Sequence, residues 1–248
     1  MAVRLKIMCW NIAEASLTGA LRMDSLLPQL VDQIRSKNPD LVLLSEVRKP
    51  HSFWAGRLDQ TQRLSQWTGL PHYMFGKTVR TGLTGYKGVS VLSRYPLKSP
   101  RIHPVMRGTR ATAYATLEVT FTVEGVDHRV FSTRFDAHER SDNAAGHDQA
   151  SAMLRSLDPQ LPVIFGGDLN ARPSQDPQFA RFKESSGLFY AADERPDPNT
   201  WDSDPLDHLF FRGPYQVSQM ELRAPWDPER MISDHPWLFV ELVSRPPA

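Results

Sequence analysis

The sequence predicts an α/β fold built on mixed β-sheets. Two observations carry this. Short apolar runs of strand length are interspersed with longer segments whose apolar residues recur at helical spacing. Several strand-to-strand steps are also too short for the helical crossover that purely parallel sheets require. Val3 to Trp10 alternates in part and reads as a strand ending at Asn11. Residues 20–37 place Leu26, Leu27, Leu30, Val31 and Ile34 on one helical face, and Asn38-Pro39-Asp40 stops that helix. Leu41 to Leu44 is an apolar run, read as a buried strand ending at Glu46, and residues 57–68 read as a second amphipathic helix. Gly85 to Arg94 holds a strand, Val89 to Leu92, closed by Tyr95-Pro96. Thr112 to Val123 and His128 to Thr133 form a hairpin pair around Glu124-Gly125. Residues 142–157 are helical and end before Pro159. A strand at 163–170 follows, and 207–211, 215–222 and 237–243 are the last strands. No repeat, low-complexity segment or linker divides the chain, so one domain spanning 1–248 is expected. The loop from Asp193 to Pro205 is long enough to be functional.

Composition narrows the function classes. At 248 residues, with 40% hydrophobic and 23% charged, the chain suits a globular protein with a sizeable core. A net charge of +1 gives no global pull toward nucleic acid or anionic membrane. A local basic face remains compatible with it: Lys77, Arg80, Lys87 and Arg94 lie in one segment, and Arg101, Arg107 and Arg110 follow; the plain alternative is a set of solvated loops. The single cysteine, Cys9, excludes an intrachain disulfide and, inside an apolar run, reads as a buried inert thiol. The N-terminal residues lack a secretory pattern, and no apolar run approaches the ~18 residues of a membrane span. A cytoplasmic monomer without an obligate protein partner is the expectation.

The chemistry concentrates at strand ends. Val163-Ile164-Phe165-Gly166-Gly167-Asp168-Leu169-Asn170 is an apolar run delivering an acid and an amide two residues apart, after glycines that let the backbone approach a neighbour closely. In an extended chain those two side chains face one site. Asn11 ends KIMCWN, Glu46 ends LVLLSE, Asp207 opens LDHLFF, and Asp234 with His235 ends MISDH. Singly, each has an ordinary explanation as a cap, a turn former or a surface ion-pair partner. Converging on one rim, they make the carboxylate and amide environment that suits Mg²⁺ or Mn²⁺. Zinc is disfavoured, because there is no cysteine cluster and no HExxH helix.

The ordered set WN, SEV, GDLN, LDH and SDH, running from Trp10 to His235, resembles the endonuclease/exonuclease/phosphatase superfamily, and GVSVLSRYPL at 88–97 resembles a further strand of that family. The group includes deoxyribonuclease I, exonuclease III-type nucleases, sphingomyelinases and inositol polyphosphate 5-phosphatases. The resemblance implies a four-layer sandwich, two packed mixed sheets flanked by helices, and a phosphoesterase working with Mg²⁺ or Mn²⁺. It implies that Glu46 is the principal metal ligand with Asn11 and Asp234 nearby, and that Asp168 orients or deprotonates the attacking water. Asn170 would donate to the phosphate or nucleophile, His235 would contact the phosphate, and Asp207 would fix the His235 tautomer. Apart from the resemblance, Trp201 is the best stacking candidate because it lies in the long polar loop 193–205; Trp54, Trp67 and Trp226 read as core or rim packing.

The chain departs from the family pattern at three places. Val130-Phe131-Ser132-Thr133-Arg134-Phe135-Asp136 carries Arg134 where a phosphate-contacting histidine usually stands, which makes Arg134 a phosphate clamp without a transferable proton near neutral pH. His138 is a poor substitute for the missing imidazole. Gly146 stands where an arginine often precedes Gln149, so the partner of that helix face is open. Arg110 loosely matches a further substrate contact. The expected function is hydrolysis of a phosphodiester, with nucleic acid among the open substrate classes, by in-line attack of an activated water. The alternatives are a phosphomonoesterase or lipid phosphodiesterase, and a non-catalytic phosphate-binding module on the same scaffold.

Overall fold

Apolar side chains alternate along β1 (Arg4–Asn11): Leu5, Ile7 and Cys9 face one way, Met8 and Trp10 the other, and both sets are buried. A strand buried on both faces must lie between two layers. The computed structural model describes residues 3–15, 26–50, 59–81, 85–107, 110–194, 204–223 and 232–245, with the side chains of 107 and 110–113 outside the description. The first sheet comprises β1, β2 (Leu41–Pro50), β3 (His72–Arg80), β4 (Gly85–Ser93), β11 (Tyr215–Arg223) and β12 (Trp237–Ser244), in the order β11-β12-β1-β2-β4-β3. The second comprises β5 (Lys98–Arg107), β6 (Arg110–Val123), β7 (Val126–Arg134), β8 (Val163–Asp168), β9 (Phe189–Tyr190) and β10 (Asp207–Arg212), in the order β5-β6-β7-β8-β10-β9. Each sheet has one parallel pair, β1 with β2 and β7 with β8; the other pairings are antiparallel.

The sheets pack face to face. Leu5, Ile7, Leu41, Leu43, Val89 and Val91 of the first meet Leu117, Val119, Val130, Ile164, Leu209 and Phe211 of the second. Helices α1 (Leu27–Lys37) and α2 (Gln60–Thr68) cover the outer face of the first sheet, where Leu27, Leu30, Ile34 and Leu64 pack on Met8, Trp10, Val42 and Leu44. Helices α3 (Arg140–Arg155) and α4 (Pro177–Ser185) cover the second, through Ala150, Leu154, Phe179 and Phe182. The result is the four-layer α/β sandwich that the resemblance implies.

Most expected elements are present. Helix α1 ends at Asn38, whose left-handed backbone (φ 45°) donates its N–H to Ile34 O just before Pro39. The β6–β7 hairpin turns at Glu124-Gly125. Cys9 is buried, and burial raises its thiol pKa. Among the described residues no helix is long and apolar enough to cross a membrane.

Several expectations change. β2 does not end at Glu46 but runs on to Pro50 through a bulge. β3, β5, α4 and the short β9 are additional elements. The basic segment 77–94 is not one face: Lys77, Arg80 and Lys87 lie at one end of the β3–β4 pair, whereas Arg94 lies at the other, ion-paired with Asp40 at 2.8 Å. The parts of the expected helices at 20–25 and 57–58, and Trp54, Trp201 and Trp226, lie outside the described residues.

Candidate active site

One rim of the sandwich gathers the polar strand ends for a topological reason. The parallel pairs β1/β2 and β7/β8 all run toward it and deliver Asn11, Glu46, Arg134 and Asp168 there. The antiparallel neighbours β10 and β12 begin there, with Asp207 and, two residues before β12, His235. Alternation aims the side chains. Asn11 follows Leu5, Ile7 and Cys9 into the space between the sheets; Asp168 follows Ile164, Arg134 follows Val130, and Asp207 precedes Leu209 and Phe211.

Glu46 obeys a different rule. Simple alternation from Leu41 and Leu43 would turn it outward beside Val42 and Leu44. The β2–β4 register shifts by one residue between Leu44 and Val47, and Glu46 adopts φ 55°. Val47 thereby joins the outer core with Val42 and Leu44, and Glu46 is re-aimed between the sheets.

Register places Asp207 directly opposite Asp168 across β8/β10, and Arg134 level with Asp168 across β7/β8. Gly167 makes that approach possible: its φ is 130°, and a Cβ there would lie 2.2 Å from Thr133 O. Asn11 is the hub. Its Nδ2 lies 2.8 Å from Asp168 Oδ2, 3.2 Å from Glu46 Oε1 and 3.4 Å from His235 Nε2, while its Oδ1 accepts from Ala13 N. His235 Nδ1 is 2.7 Å from Asp207 Oδ2. The His235 backbone is held by Trp10 Nε1 on its carbonyl and by its N–H on Ser233 Oγ, whose hydroxyl donates to Asn11 O.

The electrostatics follow from burial and neighbours. Burial opposes a charge on His235, but the hydrogen bond and charge of Asp207, with the charges of Asp168 and Asp234, overcome it and raise the pKa to about 10. Asp168 is raised to about 7 by its complete burial and by the facing Asp207, against the pull of His235, Arg134 and Asn11. Burial pushes Glu46 up as well, yet Arg134 and Lys87 outweigh it and hold Glu46 below its ordinary value.

Other expected residues fall as follows. Asn170 has a left-handed backbone (φ 47°), so the extended-chain reason for pairing it with Asp168 does not apply. Its N–H instead donates to Asp168 Oδ1 at 3.0 Å, an Asx turn, and its Nδ2 donates to Phe135 O at 2.9 Å. Asp234 is exposed and is not hydrogen-bonded to Glu46, Asn11 or Asp168; among the described residues its side chain contacts Ser233 Oγ, at 3.5 Å. The Arg110 side chain lies outside the description. Exposed His138 donates its backbone N–H to Asp136. His208 is a core imidazole between Tyr190 and Ala171 O, and burial lowers its pKa to about 3. Where Gly146 replaces the expected arginine, the Phe135 ring fills the space; a Cβ there would lie 2.8 Å from it.

Three contributors were missed from sequence. Lys87 points between the sheets, in alternation with Val89 and Val91, and ion-pairs Glu46 at 2.9 Å and Glu14 at 2.6 Å. That alternation was a usable signal. Glu14 sits in a tight turn with φ 59° and also pairs with Arg48, which nothing in its local sequence announces. Asn143 of α3 donates Nδ2 to the carbonyls of Asp136, Leu169 and Asn170, tying together the loops after β7 and β8.

The donors facing the cleft are oxygen-rich and hard, which fits Mg²⁺ or Mn²⁺. Asp168, Asp207 and His235 each offer an atom within 4.8 Å of one another, although the charged His235 ring has no lone pair for a cation, and among the described residues buried Asp207 Oδ1 has no hydrogen-bond partner. Chemically the arrangement can place a water beside a carboxylate and present an imidazolium and a guanidinium to an anion.

Residues 8–235 match the model of the endonuclease/exonuclease/phosphatase family. Among solved structures, the chain is similar to an endonuclease/exonuclease/phosphatase from Beutenbergia cavernae, with 22% identity, a TM-score of 0.79, and 98% of this chain and 72% of that one covered. It is similar to the protein of the same description from Bacteroides vulgatus, with 16% identity, a TM-score of 0.76, and 97% and 98% covered. It is also similar to truncated TDP2 from Caenorhabditis elegans, with 15% identity, a TM-score of 0.71, and 97% and 98% covered. At these identities the structural likeness establishes the fold. Comparison with curated proteins gives no match.

Proposed function

The chain belongs to the endonuclease/exonuclease/phosphatase family, and from that premise we propose that it is a divalent-metal-dependent phosphodiesterase, of the nuclease or a related class, acting by in-line attack of an activated water. The observation that carries this reading is the convergence on one amide: Asn11 Nδ2 lies within 3.4 Å of Glu46, Asp168 and His235, which belong to separate strands and loops of the first and second sheets.

Each residue has a task in the proposal. Asp168 orients the attacking water and accepts its proton; its raised pKa suits a base working near neutral pH. Asn170 holds Asp168 Oδ1 through its backbone N–H and keeps the loop against Phe135. His235, charged and fixed by Asp207, turns Nε2 to the phosphate and stabilises the charge that builds on its oxygens. Arg134 supplies a permanent second cation. Glu46, with the Asn11 side chain beside it, would hold Mg²⁺ or Mn²⁺, and Asp234 adds negative charge next to His235. When bound, the metal would neutralise phosphoryl charge and lower the pKa of a water.

Hydrolysis of bis(p-nitrophenyl) phosphate tests the proposal. Turnover with Mg²⁺ or Mn²⁺ is expected to be abolished by EDTA with the circular dichroism spectrum unchanged, and to fall by roughly 10²–10⁴ in Asp168→Ala. Absence of turnover on any phosphoester, monoester or diester, in the presence of metal would leave the non-catalytic phosphate-binding module.

A further inference from the structure

Both oxygens of Glu46 are already engaged by cations of the chain itself. Oε1 lies 2.6 Å from an Arg134 Nη and Oε2 lies 2.9 Å from Lys87 Nζ. Among the described residues nearby, Glu14, Glu46, Asp168, Asp207 and Asp234 face Arg48, Lys87, Arg134 and the His235 imidazole, so most of the acidic charge is already countered by the chain itself. A divalent ion that takes Glu46 must therefore displace a resident cation. Both residents have somewhere to go. Lys87 is already 2.6 Å from Glu14. Arg134 rests over the Tyr114 ring at 5.3 Å, and among the described residues its buried Nε has no hydrogen-bond partner, lying 3.7 Å from Asp168 Oδ2, so it has donor capacity to spare for an anion.

We propose that Arg134 is an exchangeable counter-ion, released from Glu46 by the incoming divalent cation and taken up by the substrate phosphate. The proposal rests on the metal-dependent reading above. Its consequence is reciprocal: metal binding frees the phosphate clamp, and phosphate binding frees the metal ligand, so each tightens the other. A histidine at this position would be a weaker competitor for Glu46, because near neutral pH it need carry no charge.

Calorimetric titration of Mn²⁺ into the metal-free protein separates the possibilities. Arg134→Met is expected to bind Mn²⁺ about tenfold more tightly than the wild type, within the usual range of coupling between sites. Lys87→Met should shift in the same direction and provides a second variant. Arg48→Met removes an equal charge from Glu14 rather than Glu46 and is expected to stay within about threefold of the wild type. Dimethyl phosphate, titrated with and without saturating Mn²⁺, should show a smaller metal-induced gain in Arg134→Met than in the wild type. Unchanged or weaker Mn²⁺ binding in Arg134→Met overturns the exchange at Arg134, whatever Lys87→Met does, while leaving metal dependence standing. An equal gain in Arg48→Met overturns it in favour of a general field effect. No Mn²⁺ binding by the wild type or any variant overturns the exchange and the metal-dependent reading together.

Discussion

His235 shows how much one neighbour can change a side chain. An imidazole this enclosed would ordinarily be neutral, as His147 is, whose pKa burial lowers to about 4. Asp207, fully buried and 2.7 Å away, reverses the outcome. Asp207→Asn should therefore bring the His235 ring titration, followed by NMR of its carbon-bound protons in the metal-free protein, from about 10 back toward or below 6.5. Turnover should fall by roughly 10²–10⁴, as when a triad acid is replaced. The raised pKa also has a stability sign. The pairing contributes fully below the unfolded value of about 6.5 and is lost as pH rises through about 10. Identity and placement of Asn11, Asp168, Asp207 and His235 were legible in the sequence because each ends or opens an apolar run. The conformation of Asn170 was not, since an Asx turn and an extended strand end can share the same residues.

At the scale of elements, irregularities do the aiming. The bulge in β2 turns Glu46 from the helix side to the cleft, and nothing in LVLLSEV signals it, because a bulge arises from pairing with β4 rather than from local preference. Gly167 is the second device. With φ 130° and Thr133 O in the space of its missing Cβ, it lets β7 and β8 bring Arg134 level with Asp168. Gly167→Ala should cost more than about 2 kcal/mol, read as a fall in the urea midpoint with an unchanged slope, because it combines backbone strain with a clash against main chain. The unanticipated strands β3 and β5 are edges of their sheets. β3 has mostly half-buried positions and β5 carries Pro100 and Pro104, so neither shows clean alternation. Helix α4 was readable: Asp176-Pro177 is a helix-start pair, obscured by the shortness of the segment that follows.

Across the whole molecule, the near-zero net charge conceals a local balance. The cleft opposes acids with Lys87, Arg48, Arg134 and His235, and Arg94 is held by Asp40 at the far end of its strand. The core carries its own pH dependence. His147 and His208 are buried, with pKa values lowered to about 4 and about 3, chiefly by burial. Their unfolded forms take up protons near pH 6.5, so the stability tied to keeping them neutral is present above that pH. It is lost as pH falls from about 6.5 through about 4 for His147 and about 3 for His208. The urea midpoint should decline steeply between pH 6.5 and 4.5; a flat profile over that range would contradict the neutral core histidines.

Taken alone, the sequence determined the mixed α/β class, most strands, three of the four described helices and the residue types that meet at the rim. These follow from periodicity and from polar groups placed where apolar runs stop, which are properties of short segments. Tertiary structure alone decided which way Glu46 points, that Arg134 and Lys87 occupy its oxygens, and that Asp207 faces Asp168. Those depend on register between strands distant in the chain, and a single-residue shift in register changes which face a side chain occupies without altering the segment's own pattern.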